Sequence, residues 1–215
     1  MLILIAGEKG GSWKSTIAVQ LGIERTRKGV STLVIDGDTQ GTAHNWLSRR
    51  AASGHEPIVP CEEIRTGEFH VKMPNLVDQY EDIIIDIAGR DSAEMREALG
   101  FVDIAIFPVR PTMNDLETAS RMDMLVGKYL KISEHLKRAV FVLSQASPNP
   151  FRSYTNRDAI SYLSDCENIE TLKSIICSRA AYERASIEGA AVTELTPAVR
   201  MAAKEFTNFY KEIFE

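Results

Sequence analysis

Residues 6–18, AGEKGGSWKSTIA, place Gly10 and Gly11 ahead of Lys14, Ser15 and Thr16. Glycines in such a turn let backbone N–H groups face phosphate oxygens, and the N-terminus of a following helix adds partial positive charge. The Lys14 ammonium would then reach β- and γ-phosphates, and the Ser15 hydroxyl would ligate Mg²⁺. The spacing departs from G-x-x-x-x-G-K-[ST], because Glu8 and Trp13 stand where the two glycines would be. Glycine there permits close backbone approach at little conformational cost, whereas an indole needs room beside a triphosphate. Three outcomes are open for Trp13. It swings outward and leaves a working site, it weakens or blocks nucleotide binding, or it packs on the base or a partner subunit.

Carboxylates follow in positions that suit the same chemistry. Asp36 and Asp38 lie in VIDGDTQGT (34–42), and Asp86 lies in IIIDIAG (83–89). Aspartates at strand ends can orient metal-bound water and an attacking water near a γ-phosphate. One such aspartate alone is usually only a turn residue or a helix cap. Three of them, on neighbouring strands behind a GGxxKS turn, point to a phosphate site. Elsewhere the chemistry is sparse. Cys61, Cys166 and Cys177 form no CxxC pair and read as buried free thiols of a reducing compartment. His44, His55, His70 and His135 have no second ligand at helical spacing, so they do not suggest a metal centre.

The elements that must position these groups alternate in type. Strands are expected at 2–6, 32–36, 57–61, 82–88, 103–109, 139–145 and 174–178. Helices are expected at 14–28 with Gly29 as the stop, at 42–52, at 114–130 and at 197–214 with Pro197 in the first turn. Residues 146–153, ASPNPFRS, are the most loop-like stretch. Strands that are apolar on both faces and bounded by helices predict a mostly parallel sheet covered on both sides. In such sheets ligands bind beyond the carboxyl ends of the strands, where residues 7–16 fall.

These residues resemble a known group. Lys9-Gly10-Gly11-Ser12-Trp13-Lys14-Ser15-Thr16 is similar to the deviant Walker A motif, KGGxxK[ST], of the ParA/MinD family of P-loop ATPases, with Lys9 as its distinguishing lysine. DGDTQGTAHNW (36–46) resembles that family's DxDxQ segment, DIIIDIAG (82–89) its Walker B, and PVRPTMNDLE (108–117) its P-x-x-P-[ST]-x-x-D stretch. Residues 179–195 and 202–213 look like the C-terminal portion of short ParA-type partition proteins. The resemblance implies a single three-layer α/β/α P-loop NTPase domain over 1–215 that takes ATP or ADP with Mg²⁺. It implies that Gly10 to Thr16 hold the nucleotide, Lys14 on the phosphates and Thr16 near the α-phosphate. Ser15 and Asp86 would serve Mg²⁺, Asp36 would support the metal shell, and Asp38 would position the hydrolytic water. Lys9 would reach the partner's phosphates across a nucleotide-sandwich dimer. Residues 111–115 would approach the base or the dimer seam.

The function so implied is partition of plasmid DNA by an ATP-dependent homodimer. The dimer would hold nonspecific DNA and be stimulated to hydrolyse ATP by a centromere-binding, ParB-like partner. An early P-loop fits the short plasmid type, without the extra N-terminal DNA-binding domain of longer relatives. Candidate DNA contacts are Arg152, Arg157, Arg179, Arg184, Arg200 and Lys204, interspersed with Glu183, Glu188, Glu194 and Glu205. With a net charge of −5 over 215 residues, DNA affinity should be weak and salt-sensitive. The N-terminus is a poor secretory signal, and no apolar run approaches the length of a membrane span. A cytoplasmic protein is therefore expected, nucleoid-associated if it binds DNA. A MinD-like membrane switch needs a basic amphipathic C-terminal helix, and EFTNFYKEIFE is not one. Without GxGxxG after the first strand, a dinucleotide dehydrogenase is disfavoured. The remaining alternative is a nucleotide-impaired scaffold or conjugation-accessory protein, in which Trp13 blocks the loop.

Overall fold

Runs that are apolar at every position can be buried only between two helix layers, and that is how this chain is arranged. The computed structural model describes residues 1–65, 67–89, 93–195 and 199–215. Among them, seven strands form one parallel sheet in the order β3-β2-β4-β1-β5-β6-β7. These are β1 (Leu2–Ile5), β2 (Thr32–Asp36), β3 (Cys61–Glu63), β4 (Asp82–Asp86), β5 (Ile104–Val109), β6 (Arg138–Ala146) and β7 (Glu170–Cys177). Side chains alternate between the layers. Leu4, Leu33, Ile35 and Ile85 join one apolar cluster, while Ile3, Ile5, Val34 and Ile84 join the other.

The first cluster is covered by α3 (Phe69–Val77), α4 (Ala93–Leu99), α5 (Met113–Ile132) and α6 (Ser153–Ser164). The second is covered by α1 (Lys14–Arg27), α2 (Thr42–Ala52), α7 (Ala180–Glu188) and α8 (Arg200–Phe214). The three-layer α/β/α fold is thus present. β1 sits centrally, between β4 and β5. Register pairs Ile5 with Asp86, and Asp86 in turn with Asp36, so both aspartates end neighbouring strands beside the β1–α1 turn. That is the crevice where parallel α/β sheets take ligands.

Several boundaries differ from the sequence expectation. The edge strand expected at 57–61 begins only at Cys61, because Pro57 and Pro60 have no amide to donate to a ladder. β7 starts four residues before the expected 174, since its exposed face carries Glu170 and Lys173 and hides the apolar pattern. The stretch 146–153 holds the end of β6, a 3-10 turn at Pro150–Arg152 and the first residue of α6. No helix was expected at α3, α4, α6 or α7; Pro74 inside α3 masks its periodicity. Pro197 lies outside the described residues, and the last helix begins at Arg200, with Val199 as its N-cap, rather than at 197.

Candidate functional site

The β1–α1 loop is tied down from behind by the end of β6. The Ser144 hydroxyl donates to the Ser12 carbonyl at 3.0 Å, and the Gln145 side-chain amide donates to the Gly11 carbonyl. Peptide groups are planar and trans, so the N–H groups of Ser12 and Trp13 point the opposite way, away from β6. Gly11 has φ 73° and Trp13 has φ 68° and ψ 27°, both left-handed. Trp13 is the residue that caps α1, and its carbonyl accepts the first helical bond from Ile17. A left-handed backbone costs a side-chain-bearing residue about 1–2 kcal/mol. Contacts elsewhere must hold it there.

Beside this loop lies a recess of about 340 Å³, lined by Gly10, Gly11, Trp13, Lys14, Ser15, Thr16, Asp38, Gln40, Thr42 and Gly89. That volume lies within the range of small-molecule sites, ~300–1,000 Å³. Six of the seven residues expected from the sequence to hold nucleotide therefore line one hollow, while Ser12 is buried and lines a separate small cavity. Lys9 is exposed at the rim. Its carbonyl accepts a 2.9 Å hydrogen bond from Lys14 Nζ and a longer one from the Ser12 hydroxyl. Burial lowers the Lys14 pKa and Arg110 adds to this, while Asp86 and Asp38 favour the ammonium.

The acidic residues divide by environment. Asp86 is fully buried, and neither of its oxygens has a hydrogen-bond partner among the described residues. Burial pushes its carboxyl up to about 7, reinforced by Asp36 and Asp38 and opposed by the nearby Ser15 hydroxyl and Lys14. Asp36 is also buried, yet satisfied: Oδ1 accepts the Asp38 amide at 3.0 Å and Oδ2 the His44 amide at 2.9 Å. Burial raises its pKa too. Asp36 thus anchors the segment that carries Asp38 and starts α2. Asp38 is half-buried at the recess wall; its Oδ1 accepts the Gln40 amide, and its carbonyl accepts from Arg65.

Among the described residues no cluster of three or more His, Cys, Asp or Glu could hold a metal by itself. Mg²⁺ does not need one, because it keeps several waters and binds through one or two protein groups plus substrate phosphates. The orphaned Asp86 carboxylate near the Ser15 hydroxyl is a donor set of that kind. The three cysteines are free, Cys177 buried and the others half-buried. Burial pushes the Cys61 thiol up to about 12 and the other two to about 11.

The Trp13 side chain leans to one side of the recess. It is half-buried, with its ring centroid 4.7 Å from that of Tyr182 on α7 and the planes inclined by 47°. Other residues at the site gave little or no sequence signal. Gly89 is jammed against the loop: a Cβ there would lie 2.5 Å from the Lys9 carbonyl oxygen and 2.7 Å from Lys14 Nζ. Its only signal is the small-residue turn after Asp86. Ser144 and Gln145 carry none. In the stretch 111–115, Asp115 is held bidentately by Arg110 at 2.8 and 3.0 Å, and Thr112 caps α5.

Of the candidate DNA contacts, Arg179 and Arg200 line one surface hollow between α7 and α8, and Lys204 lies one helical turn beyond Arg200. Arg179 is clamped on Glu205, and Arg184 pairs with Glu188 on α7. Arg157, Arg200 and Lys204 are exposed, but Arg157 lies on α6, in the helix layer opposite α8. The Arg152 side chain lies outside the described residues. No helix among them is long and apolar enough to cross a membrane.

Comparison with known proteins follows the same lines. Residues 3–192 match the family described as the CobQ/CobB/MinD/ParA nucleotide binding domain. The chain is similar to the maintenance of carboxysome distribution protein A of Halothiobacillus neapolitanus, with 25% identity over 98% of this chain and 95% of that one. It is 23% identical to the protein ParA of Rhizobium radiobacter over 84% of this chain and 80% of the relative. The septum site-determining protein MinD of Pyrococcus horikoshii, solved with Mg-ADP, superposes with a TM-score of 0.71. At 18% identity over 100% of this chain and 96% of the other, that likeness is one of fold.

Proposed function

The chain belongs to the CobQ/CobB/MinD/ParA nucleotide binding domain family, and on that premise we propose that it is a ParA-type ATP hydrolase that partitions plasmid DNA. The observation that carries the catalytic part of this reading is the meeting of Lys14, Ser15 and Asp38 at one recess, with Asp86 buried and unpartnered behind it. The loop amides and the Lys14 ammonium would bind the phosphates of ATP, Lys14 exchanging its bond to the Lys9 carbonyl for phosphate oxygens. Asp86 and Ser15 would hold Mg²⁺, which neutralises developing phosphate charge when bound. Asp38, held in place by Asp36, would orient the attacking water. Lys9, exposed beside the loop, would complete the site of a second copy in an ATP-joined homodimer.

The wider cycle is proposed on the resemblance of the sequence motifs to the ParA family. In it a dimer would grip nonspecific DNA and be released when a ParB-like partner stimulates hydrolysis. With Arg179 and Arg184 engaged, that grip would rest on few free cations and weaken steeply with salt. A cargo other than DNA is a second reading, favoured by the full-length likeness to a carboxysome distribution protein. Both readings need turnover. Phosphate release measured with and without DNA should show ATPase activity in the parent. It should fall roughly a hundredfold or more in Asp38→Ala, with ATP binding retained. A parent without turnover would leave the scaffold alternative standing.

A further inference from the structure

A tryptophan beside a triphosphate site must be kept out of it; Trp13 packs against the second apolar cluster, and Tyr182 is the member of that cluster whose ring it meets. The Trp13 indole rests on the Tyr182 ring at 4.7 Å; Trp13 lines the recess and Tyr182 does not. Tyr182 is itself immobilised. It lies in the first turn of α7, it is 3% exposed, and its amide bonds to the Arg179 carbonyl. Arg179 is fixed in turn by three hydrogen bonds to Glu205 of α8. The Tyr182 hydroxyl has no partner among the described residues, so the ring, and not the hydroxyl, is what the fold uses here.

We propose that Tyr182 is a positioning residue for nucleotide binding: its ring seats the Trp13 indole and so keeps the phosphate recess open. The inference rests on the reading of that recess as an ATP site. An indole carries a large apolar surface and only two side-chain torsions, so removing its seat leaves it to seek cover nearby. The nearest hollow is the recess that it already lines. Occupying it would bring the ring against Gly10 and Gly11, where phosphates are to bind. An aromatic pair of this kind is worth enough to change affinity by roughly three- to tenfold.

The test is a double-substitution cycle read by calorimetric titration of Mg-ATP, with thermal denaturation to confirm that each chain is folded. With Trp13 in place, Tyr182→Leu should bind ATP three- to tenfold more weakly than the parent, at about the strength expected for an aromatic contact. Tyr182→Phe keeps the ring and should restore affinity. In the Trp13→Gly background, Tyr182→Leu should have no effect, because there is no indole left to seat. Should Tyr182→Leu not fold, Tyr182→Met makes the same comparison. Equal losses in both backgrounds would reduce Tyr182 to general packing and overturn the proposal. So would a Tyr182→Phe chain as weak as Tyr182→Leu. ATP binding by Trp13→Gly but not by the parent would overturn it while leaving the ATP site intact. Absence of binding in both would sink the ATP reading itself, and this proposal with it.

Discussion

Asp86 is the residue whose state makes least sense without a ligand. Among the described residues no hydrogen bond of good geometry meets either oxygen, the Ser15 hydroxyl only lying near, and burial has pushed the carboxyl up to about 7. A divalent cation shared with Ser15 and phosphates would offset the cost of that burial. Gly89, three residues on, is the residue that lets the loop and the β4 turn touch. Gly89→Ala would push a methyl group into the Lys9 carbonyl and the Lys14 ammonium. It should destabilise the fold by about 1–3 kcal/mol in urea denaturation and weaken ATP binding in the same protein. Unchanged affinity would mean that the loop moves away from Gly89 before nucleotide enters. The sequence made Lys14, Ser15, Asp38 and Asp86 legible because each sits at a fixed offset from a strand end. Gly89, Ser144, Gln145 and Tyr182 were not, because their roles come from contacts across the sheet.

At the scale of elements, the helices over the second cluster are fastened to one another by buried charge. Arg50 of α2 has no exposed side-chain surface, and it binds both oxygens of Glu194 at 2.7 and 2.9 Å. It also donates to the carbonyls of Glu56, Pro57 and Gly189. Gly189 is obligatory beside it, having φ 72° and no room for a Cβ against the Arg50 backbone. Burial raises the Glu194 pKa, but Arg50, the Ala191 amide and Arg27 outweigh it and hold the carboxyl below its ordinary range. A depressed carboxyl contributes its stability in full above the unfolded pKa, ~4.3, and loses it as pH falls through the folded value. Glu194→Gln should therefore cost about 3 kcal/mol near neutrality. The gap in thermal midpoint between it and the parent should close as pH is lowered below about 4. A gap that stayed constant would show that the pair does not titrate in that range.

The same scale explains what the pattern of residues concealed. β1, β2 and β4 were readable as continuous apolar runs because they are central and covered on both faces. β7 is an edge strand whose outward amides are taken by α8: Glu212 accepts from Lys173 and Ser174, and Glu205 from Cys177. Glu170 and Lys173 on it are exposed, Glu170 pairing with Arg138 of β6, and they broke the expected alternation. Helix α6 was obscured by the two prolines just before it, and α3 by a proline inside it.

For the whole molecule, strand order, register and loop anchoring converge on one crevice at the carboxyl end of the sheet, in a chain of a nucleotide binding domain family. The distance from this fold to a partition cycle is set by whether ATP enters with Trp13 in place. Calorimetric titration of Mg-ATP into the parent, Trp13→Gly and Lys14→Ala chains measures that directly. The account predicts binding by the parent, binding within about tenfold of it by Trp13→Gly, and none by Lys14→Ala. Heat from the Trp13→Gly chain alone would contradict it, making the indole a plug and not a wall.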